Sequence, residues 1–381
     1  MIDARVEKLA QVLVQYSVAV RPNDKVLIQG SVLAEPLLKA LLVEVLRAGG
    51  HPYLRAQLPD VEELVYRNAS DEQLRHVPPP TRLLYETYDV MISVSGAANT
   101  KNLTNVPPSR LVLARQSTRD LFQTFTHRSA RGELRWVGTL FPTPAYAQDA
   151  EMGLVEYEEF VFGACLPDPA NPIGYWKSLS SRQGRLVDWL KGKKSLRVEG
   201  PGVDLRMSIA GRTFENCDGK KNMPDGEIFT GPVEDSVEGH VRFSYPTVYD
   251  GRRLEGVELW FERGKVVKAA AQKGEDFLWK TLDVDDGARY VGEFAIGTNE
   301  GIQRATGATL FDEKIRGSFH MALGAGMPET GSRNESAIHW DMVCDLMDGG
   351  RIWVDDRLFY DRGKFQVEEV HEERHARRES A

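Results

Sequence analysis

From residue 3 to about residue 17 the apolar side chains Val6, Leu9, Ala10, Leu13 and Val14 recur at intervals of three and four, the spacing of one helix face. The short apolar run over 25–30 reads as a buried strand. A helix over about 34–48, closed by Gly49 and Gly50, and a strand over 52–56 follow it. Strand, helix and strand in that order form the unit of a parallel sheet. Val90-Met91-Ile92-Ser93-Val94 adds another buried strand.

The texture changes after two helix-like stretches between residues 151 and 194. Short alternating runs such as Val203-Asp204-Leu205-Arg206-Met207, Val257-Glu258-Leu259-Trp260-Phe261 and Arg351-Ile352-Trp353-Val354, separated by glycine turns, predict strands, with a helix over 274–282. The expected fold class is α/β. A layered α/β domain occupies 1–190, a strand-rich α+β domain 191–368, and a charged, disordered tail 369–381.

Length and composition agree with this division. The 381 residues are 41% hydrophobic and 27% charged, enough for two domains that each bury a core. Lys and Arg number 48 against 56 Asp and Glu, a net charge of −8 with no basic block, so nucleic acid is not an expected partner. No apolar stretch approaches the ~20 residues that span a bilayer, so no membrane partner is expected. Three scattered cysteines, Cys165, Cys217 and Cys344, and a start without a signal-peptide pattern point to a reducing, cytoplasmic setting.

One motif invites a wrong conclusion. His371-Glu372-Glu373-Arg374-His375 matches H-E-x-x-H, which on a buried helix would carry zinc. Here it sits in a polar terminus, with no room downstream for a third ligand, and is read as a solvated charge run. Gly324-Ala325-Gly326-Met327-Pro328 reads as a tight turn rather than a nucleotide loop, since Pro328 and Glu329 stand where a helix should open.

The chemistry concentrates between residues 222 and 343. Four segments set an acid or imidazole inside an apolar frame: Met223-Pro224-Asp225-Gly226-Glu227, Gly292-Glu293-Phe294-Ala295-Ile296, Phe311-Asp312-Glu313-Lys314-Ile315 through His320, and Ile338-His339-Trp340-Asp341-Met342. In a strand, His339 and Asp341 share one face while Ile338, Trp340 and Met342 take the other. A glutamate framed as Glu293 is, between glycines and apolar residues, is costly to bury without a cation or a donor.

These segments in this order, with the opening Ala4-Arg5-Val6-Glu7-Lys8-Leu9-Ala10, resemble the thermophilic metallo-aminopeptidase family, the group of aminopeptidases T and S. The resemblance runs from about residue 5 to residue 367. It implies a metal set of Glu227, Glu293, Glu313, His320, His339 and Asp341, with Glu293 bridging two metals and so catalytic. It further implies a C-terminal catalytic domain, short peptide substrates and a homodimer. The four carboxylates would balance two divalent cations, and zinc, cobalt and manganese all suit such oxygen and nitrogen ligands. Two ions ~3.5 to 4 Å apart would activate a bridging water and polarise the scissile carbonyl.

The chain departs from the family at Met327, seven residues after His320, where a tyrosine is usual. A thioether cannot donate a hydrogen bond, and Arg304 and Arg333 are the cationic candidates to replace the hydroxyl. Two alternatives therefore stand beside the aminopeptidase. His320, His339 and Asp341 alone would make the ligand set of a mononuclear iron dioxygenase, although one iron would leave Glu227, Glu293 and Glu313 without partners. A metal-binding homologue with impaired turnover is the other.

Overall fold

The computed structural model describes residues 3–367, so the terminal segment bearing His371 and His375, with its expected disorder, lies outside the described residues. The chain forms two compact units. The first runs to Tyr175 and adds Gly219–Pro224, and the second comprises Trp176–Asp218 and the chain from Asp225 onward.

In the first unit, α1 (Ala4–Gln11) begins where the Asp3 carboxylate accepts the Arg5 amide at 2.8 Å, and it buries Val6, Leu9 and Ala10. A wider helical turn, Val12–Ser17, carries the same apolar face onward. Next come β1 (Lys25–Ser31), α2 (Glu35–Arg47), β2 (His51–Gln57), β3 (Val90–Ser95) and β4 (Arg135–Leu140). The sheet order is β2-β1-β3-β4, all parallel, with the two-residue strand Asn222–Met223 added beside β4. Continuous burial of Val26, Leu27 and Ile28, and of Val90, Met91 and Ile92, explains why these strands read as unbroken apolar runs. The strands and helix expected at 25–30, 34–48, 52–56 and 90–94 are thus found within a residue or two.

The second unit is built on antiparallel sheets. One has eight strands, in the order Lys265–Ala270, Glu258–Glu262, Glu238–Arg242, Val203–Ser208, Ser195–Gly200, Arg351–Val354, Arg357–Asp361 and Lys364–Phe365. The other has five: β5 (Glu215–Cys217), β6 (Glu227–Thr230), β7 (Val291–Gly297), β8 (Ser318–Gly324) and β9 (His339–Asp345), in the order β9-β8-β7-β6-β5. One apolar core joins them, drawing Leu196, Val198, Leu205 and Leu259 from the first sheet and Ile228, Phe294, Phe319, Met321, Trp340 and Met342 from the second. The helices Pro172–Leu190, here α3, and Glu275–Leu282 supply Leu186, Leu190, Leu278 and Leu282 to the same core.

Candidate metal centre

Every second residue of β7, β8 and β9 faces that core, and the alternate residues face the other side of the sheet. Glu293, His320, His339 and Asp341 lie on this second face, and Glu227 joins them from β6. Each has alanine or glycine as a cross-strand neighbour on at least one side. Glu293 and Asp341 both stand opposite Ala322, His320 opposite Ala295, His339 opposite Gly324, and Glu227 opposite Gly297. Alanine and glycine beside each polar group leave room above the sheet that larger side chains would fill.

Glu293 reaches this face through a break in register. Val291 pairs with Leu323, but Glu293 pairs with Ala322, so Gly292 is an extra residue in β7. Without the bulge Glu293 would align with Met321 and point into the core, because a one-residue slip exchanges the two faces. Only glycine fits here. A Cβ on residue 292 would lie 2.4 Å from the carbonyl oxygens of both Gly324 and Ala325.

Glu313 comes from outside the sheet, at the end of the short helix Thr309–Asp312. Asp312 anchors that turn by accepting the Thr306 amide at 2.7 Å, the Thr306 hydroxyl at 3.0 Å and the Gly307 amide at 2.8 Å. Burial nevertheless pushes the Asp312 carboxyl up to about 6.

The six residues singled out in the sequence converge. His320 Nε2 lies 3.2 Å from Glu293 Oε1, 3.5 Å from Glu227 Oε2 and 4.0 Å from Asp341 Oδ1. His339 Nε2 lies 3.7 Å from Glu293 Oε2 and 3.6 Å from Asp341 Oδ2. Two triads, Glu227–Glu293–His320 and Glu313–His320–Asp341, each bring their ligand atoms within 4.8 Å of one another.

The protonation pattern expresses crowded charge. Burial, then Glu313, raises the Asp341 carboxyl to about 7 against the pull of His339 and His320. Burial also raises Glu227 despite Lys314 and His320. For Glu293 burial acts upward, but the bond to His320 and the two imidazole charges outweigh it and hold the group down. His320 is pushed up to about 9, burial opposing and Glu293, Glu227 and Asp341 prevailing. Protons therefore gather where a positive charge is wanted.

A metal fits these residues on two observations. Among the described residues, Glu227 Oε2 and Asp341 Oδ1 are buried without a hydrogen-bond partner, an arrangement that costs free energy unless a cation meets them. His339 Nδ1 lies 2.8 Å from the Ala325 carbonyl, the outer bond that fixes the tautomer of a ligating imidazole and leaves Nε2 free. His320 Nδ1 has no such partner among the described residues.

Met327 lies half-buried in the turn after β8, where its carbonyl accepts the Thr330 amide at 3.0 Å and the Thr330 hydroxyl at 2.7 Å. Arg304 and Arg333, the proposed stand-ins for a hydroxyl, are exposed. The cation found among the acids is Lys314, which the sequence reading passed over. It is 1% exposed, its Nζ is 2.9 Å from Glu227 Oε1 and 4.0 Å from Asp225 Oδ1, and it donates to Glu313. Buried Asp225 was also missed, and its charge offsets that of Lys314, so the balance of four carboxylates against two divalent ions is unchanged. A lysine between Glu313 and Ile315 in an apolar frame was the available signal, since lysine is almost never fully buried without a partner.

The chain is similar to known proteins over nearly its whole length. The sequence signature of the Thermophilic metalloprotease (M29) family spans residues 2–363. Aminopeptidase 2 of Geobacillus stearothermophilus is 26% identical over 91% of this chain and 93% of its own length. Aminopeptidase T of Thermus thermophilus is 27% identical over 92% and 95%. Among solved structures, wild-type AmpT from Thermus thermophilus shares the fold with a TM-score of 0.82 at 24% identity, covering 95% of this chain and 99% of that one. A 2,5-dihydroxypyridine dioxygenase from Pseudomonas putida shares it more distantly, with a TM-score of 0.56 at 14% identity over 96% and 98%. With its family signature spanning residues 2–363 and its six acids and imidazoles gathered in one cluster, the chain belongs to the Thermophilic metalloprotease (M29) family.

Proposed function

We propose that this chain is a metal-dependent aminopeptidase that hydrolyses the N-terminal peptide bond of short peptides, with two divalent ions, zinc, cobalt or manganese, held by Glu227, Glu293, Glu313, His320, His339 and Asp341. The observation that carries this reading is the convergence of four carboxylates and two imidazoles in one cluster, with buried oxygens of Glu227 and Asp341 left for a cation. Family membership and relatives named aminopeptidases support the reaction class.

When bound, the ions supply a water of lowered pKa and a Lewis acid for the scissile carbonyl. The protein's own part is placement. Glu293 stands between the two histidines, 3.2 Å from His320 Nε2 and 3.7 Å from His339 Nε2, where it would hold the ions together with them. The bond at Nδ1 aims His339 Nε2 into the cluster. The free α-amino group of a peptide would be held by an ion or by a carboxylate near Glu227, the contact that distinguishes an aminopeptidase from an endopeptidase. The acids Glu227 and Glu313 weigh against a single-iron dioxygenase, despite the shared fold.

Two further points belong to the same reading. A homodimer is supported by exposed apolar side chains on the first unit, among them Leu46, Leu54, Leu58 and Leu64. A cytoplasmic setting is supported by three free cysteines; among the described residues no helix is long and apolar enough to cross a membrane.

The test is metal content per chain together with arylamine release from amino-acid anilides and their N-acetylated counterparts. Two ions, with hydrolysis of the free-amine substrates alone, are expected. A metal-loaded chain that releases no arylamine would overturn the reading, and one tightly held iron without hydrolysis would favour the dioxygenase.

A further inference from the structure

A third group of potential ligands adjoins the centre. Cys217 on β5, Asp225 and Glu227 each offer an atom within 4.8 Å of the other two. Cys217 is the register partner of Glu227, so its thiol is fixed beside that carboxylate by the pairing of β5 with β6. Gln183 on α3 locks the same corner, its Nε2 donating to the carbonyls of Cys217 at 3.0 Å and Glu227 at 3.1 Å. One thiolate and two carboxylates form a ligand set for a borderline or soft divalent ion.

Lys314 already serves two of these three residues. Its ammonium holds Glu227 Oε1 at 2.9 Å and faces Asp225 Oδ1 at 4.0 Å, and its third partner is Glu313. An ion bound by Cys217, Asp225 and Glu227 would sit against that ammonium, two like charges in a buried site. The ammonium also claims only one oxygen of Glu227. The other, Oε2, faces His320 and has no hydrogen-bond partner among the described residues.

We propose that Lys314 is a built-in cation that bars a third metal position, formed by Cys217, Asp225 and Glu227, and so keeps the thiol out of the metal centre and its ligands restricted to oxygen and nitrogen. Lys314 touches neither substrate nor metal in this account. It acts through Glu227 and Glu313, which makes it a positioning and selectivity residue. When the lysine is removed, a divalent ion binds the vacated corner and displaces the Cys217 thiol proton, which passes to buffer, with no change of oxidation state. The inference rests on the metal-centre reading above.

Cobalt(II) titration of the metal-free, full-length protein tests it, because sulfur ligation gives an intense near-ultraviolet charge-transfer band that oxygen and nitrogen ligands do not. Wild type is expected to bind cobalt without that band. Lys314→Met is expected to bind one more equivalent per chain and to show it, Lys314→Met with Cys217→Ser to lose it, and Lys314→Arg, which keeps a cation, to match wild type. Lys314→Met binding no additional cobalt, or lacking the band, would overturn the inference. So would a thiolate band in wild type, a readout that needs no variant to fold. Should wild type bind no cobalt at all, the metal-centre reading itself fails, an outcome distinct from a wild-type centre that fills while Lys314→Met gains nothing.

Discussion

Glu293 and His320 meet diagonally across two neighbouring strands, Oε1 to Nε2 at 3.2 Å, and they share a face only because Gly292 is an extra residue in β7. Restoring regular pairing would bury Glu293 beside Met321.

Gly292→Ala is therefore expected to lower stability by about 1–3 kcal/mol, the usual cost of forcing atoms into a packed site, and to reduce bound metal as Glu293 is displaced. Thermal unfolding and metal content per chain measure both. An unchanged midpoint with full metal content would contradict the role given to the bulge.

Glu293→Gln keeps the shape and removes the charge between the two histidines. Loss of an outer-shell partner typically costs ~10–100-fold in metal affinity, and loss of a direct ligand should cost at least as much. Hydrolysis should fall to background. Near-normal turnover in this variant would sink the assignment of Glu293.

The linkage to pH has a definite sign. In the metal-free chain His320 is raised from 6.5 to about 9 and Asp341 from 3.8 to about 7, so each binds its proton more tightly folded than unfolded. Their contribution is complete below the unfolded values. It is lost for Asp341 as pH rises toward about 7, and for His320 as pH rises from 6.5 through about 9. The chelated protein should thus lose thermal stability progressively from about pH 4 to about pH 9, whereas the metal-loaded protein should not, because a metal replaces the protons. Metal affinity should rise over the same interval with net proton release, measurable by calorimetry in buffers of different ionisation enthalpy. Affinity independent of pH would show that these groups are not ligands.

Met327→Tyr tests the family departure. If a hydroxyl donor belongs at this turn, restoring it should raise kcat, by up to the ~100-fold that one well-placed donor supplies, and leave metal stoichiometry unchanged. A kcat unmoved by the substitution would show that this chain does not use that position.

Local pattern carried much of the outcome. A period of three to four located α1, unbroken apolar runs located β1 and β3, and alternation located strands of the second unit such as Val203–Ser208 and Arg351–Val354, because burial of a face is a local demand that recurs along the chain. Alternation put His339 and Asp341 on the same side of β9, with Trp340 and Met342 in the core. The acids and imidazoles stood out because charge inside an apolar frame is expensive.

What the sequence determined by itself was thus the candidate residue types, their order, and a layered α/β half followed by a strand-rich one. Tertiary structure decided three further things. The short return Gly219–Pro224 supplies a strand to the first unit, a pairing that two residues cannot advertise. Register chose the face of Glu293, since a single extra residue inverts a strand and only its neighbours show which residue is extra. Lys314 became part of the centre because its partners Glu227 and Asp225 lie nearly ninety positions away along the chain, and the meaning of a buried charge lies in the charges packed against it.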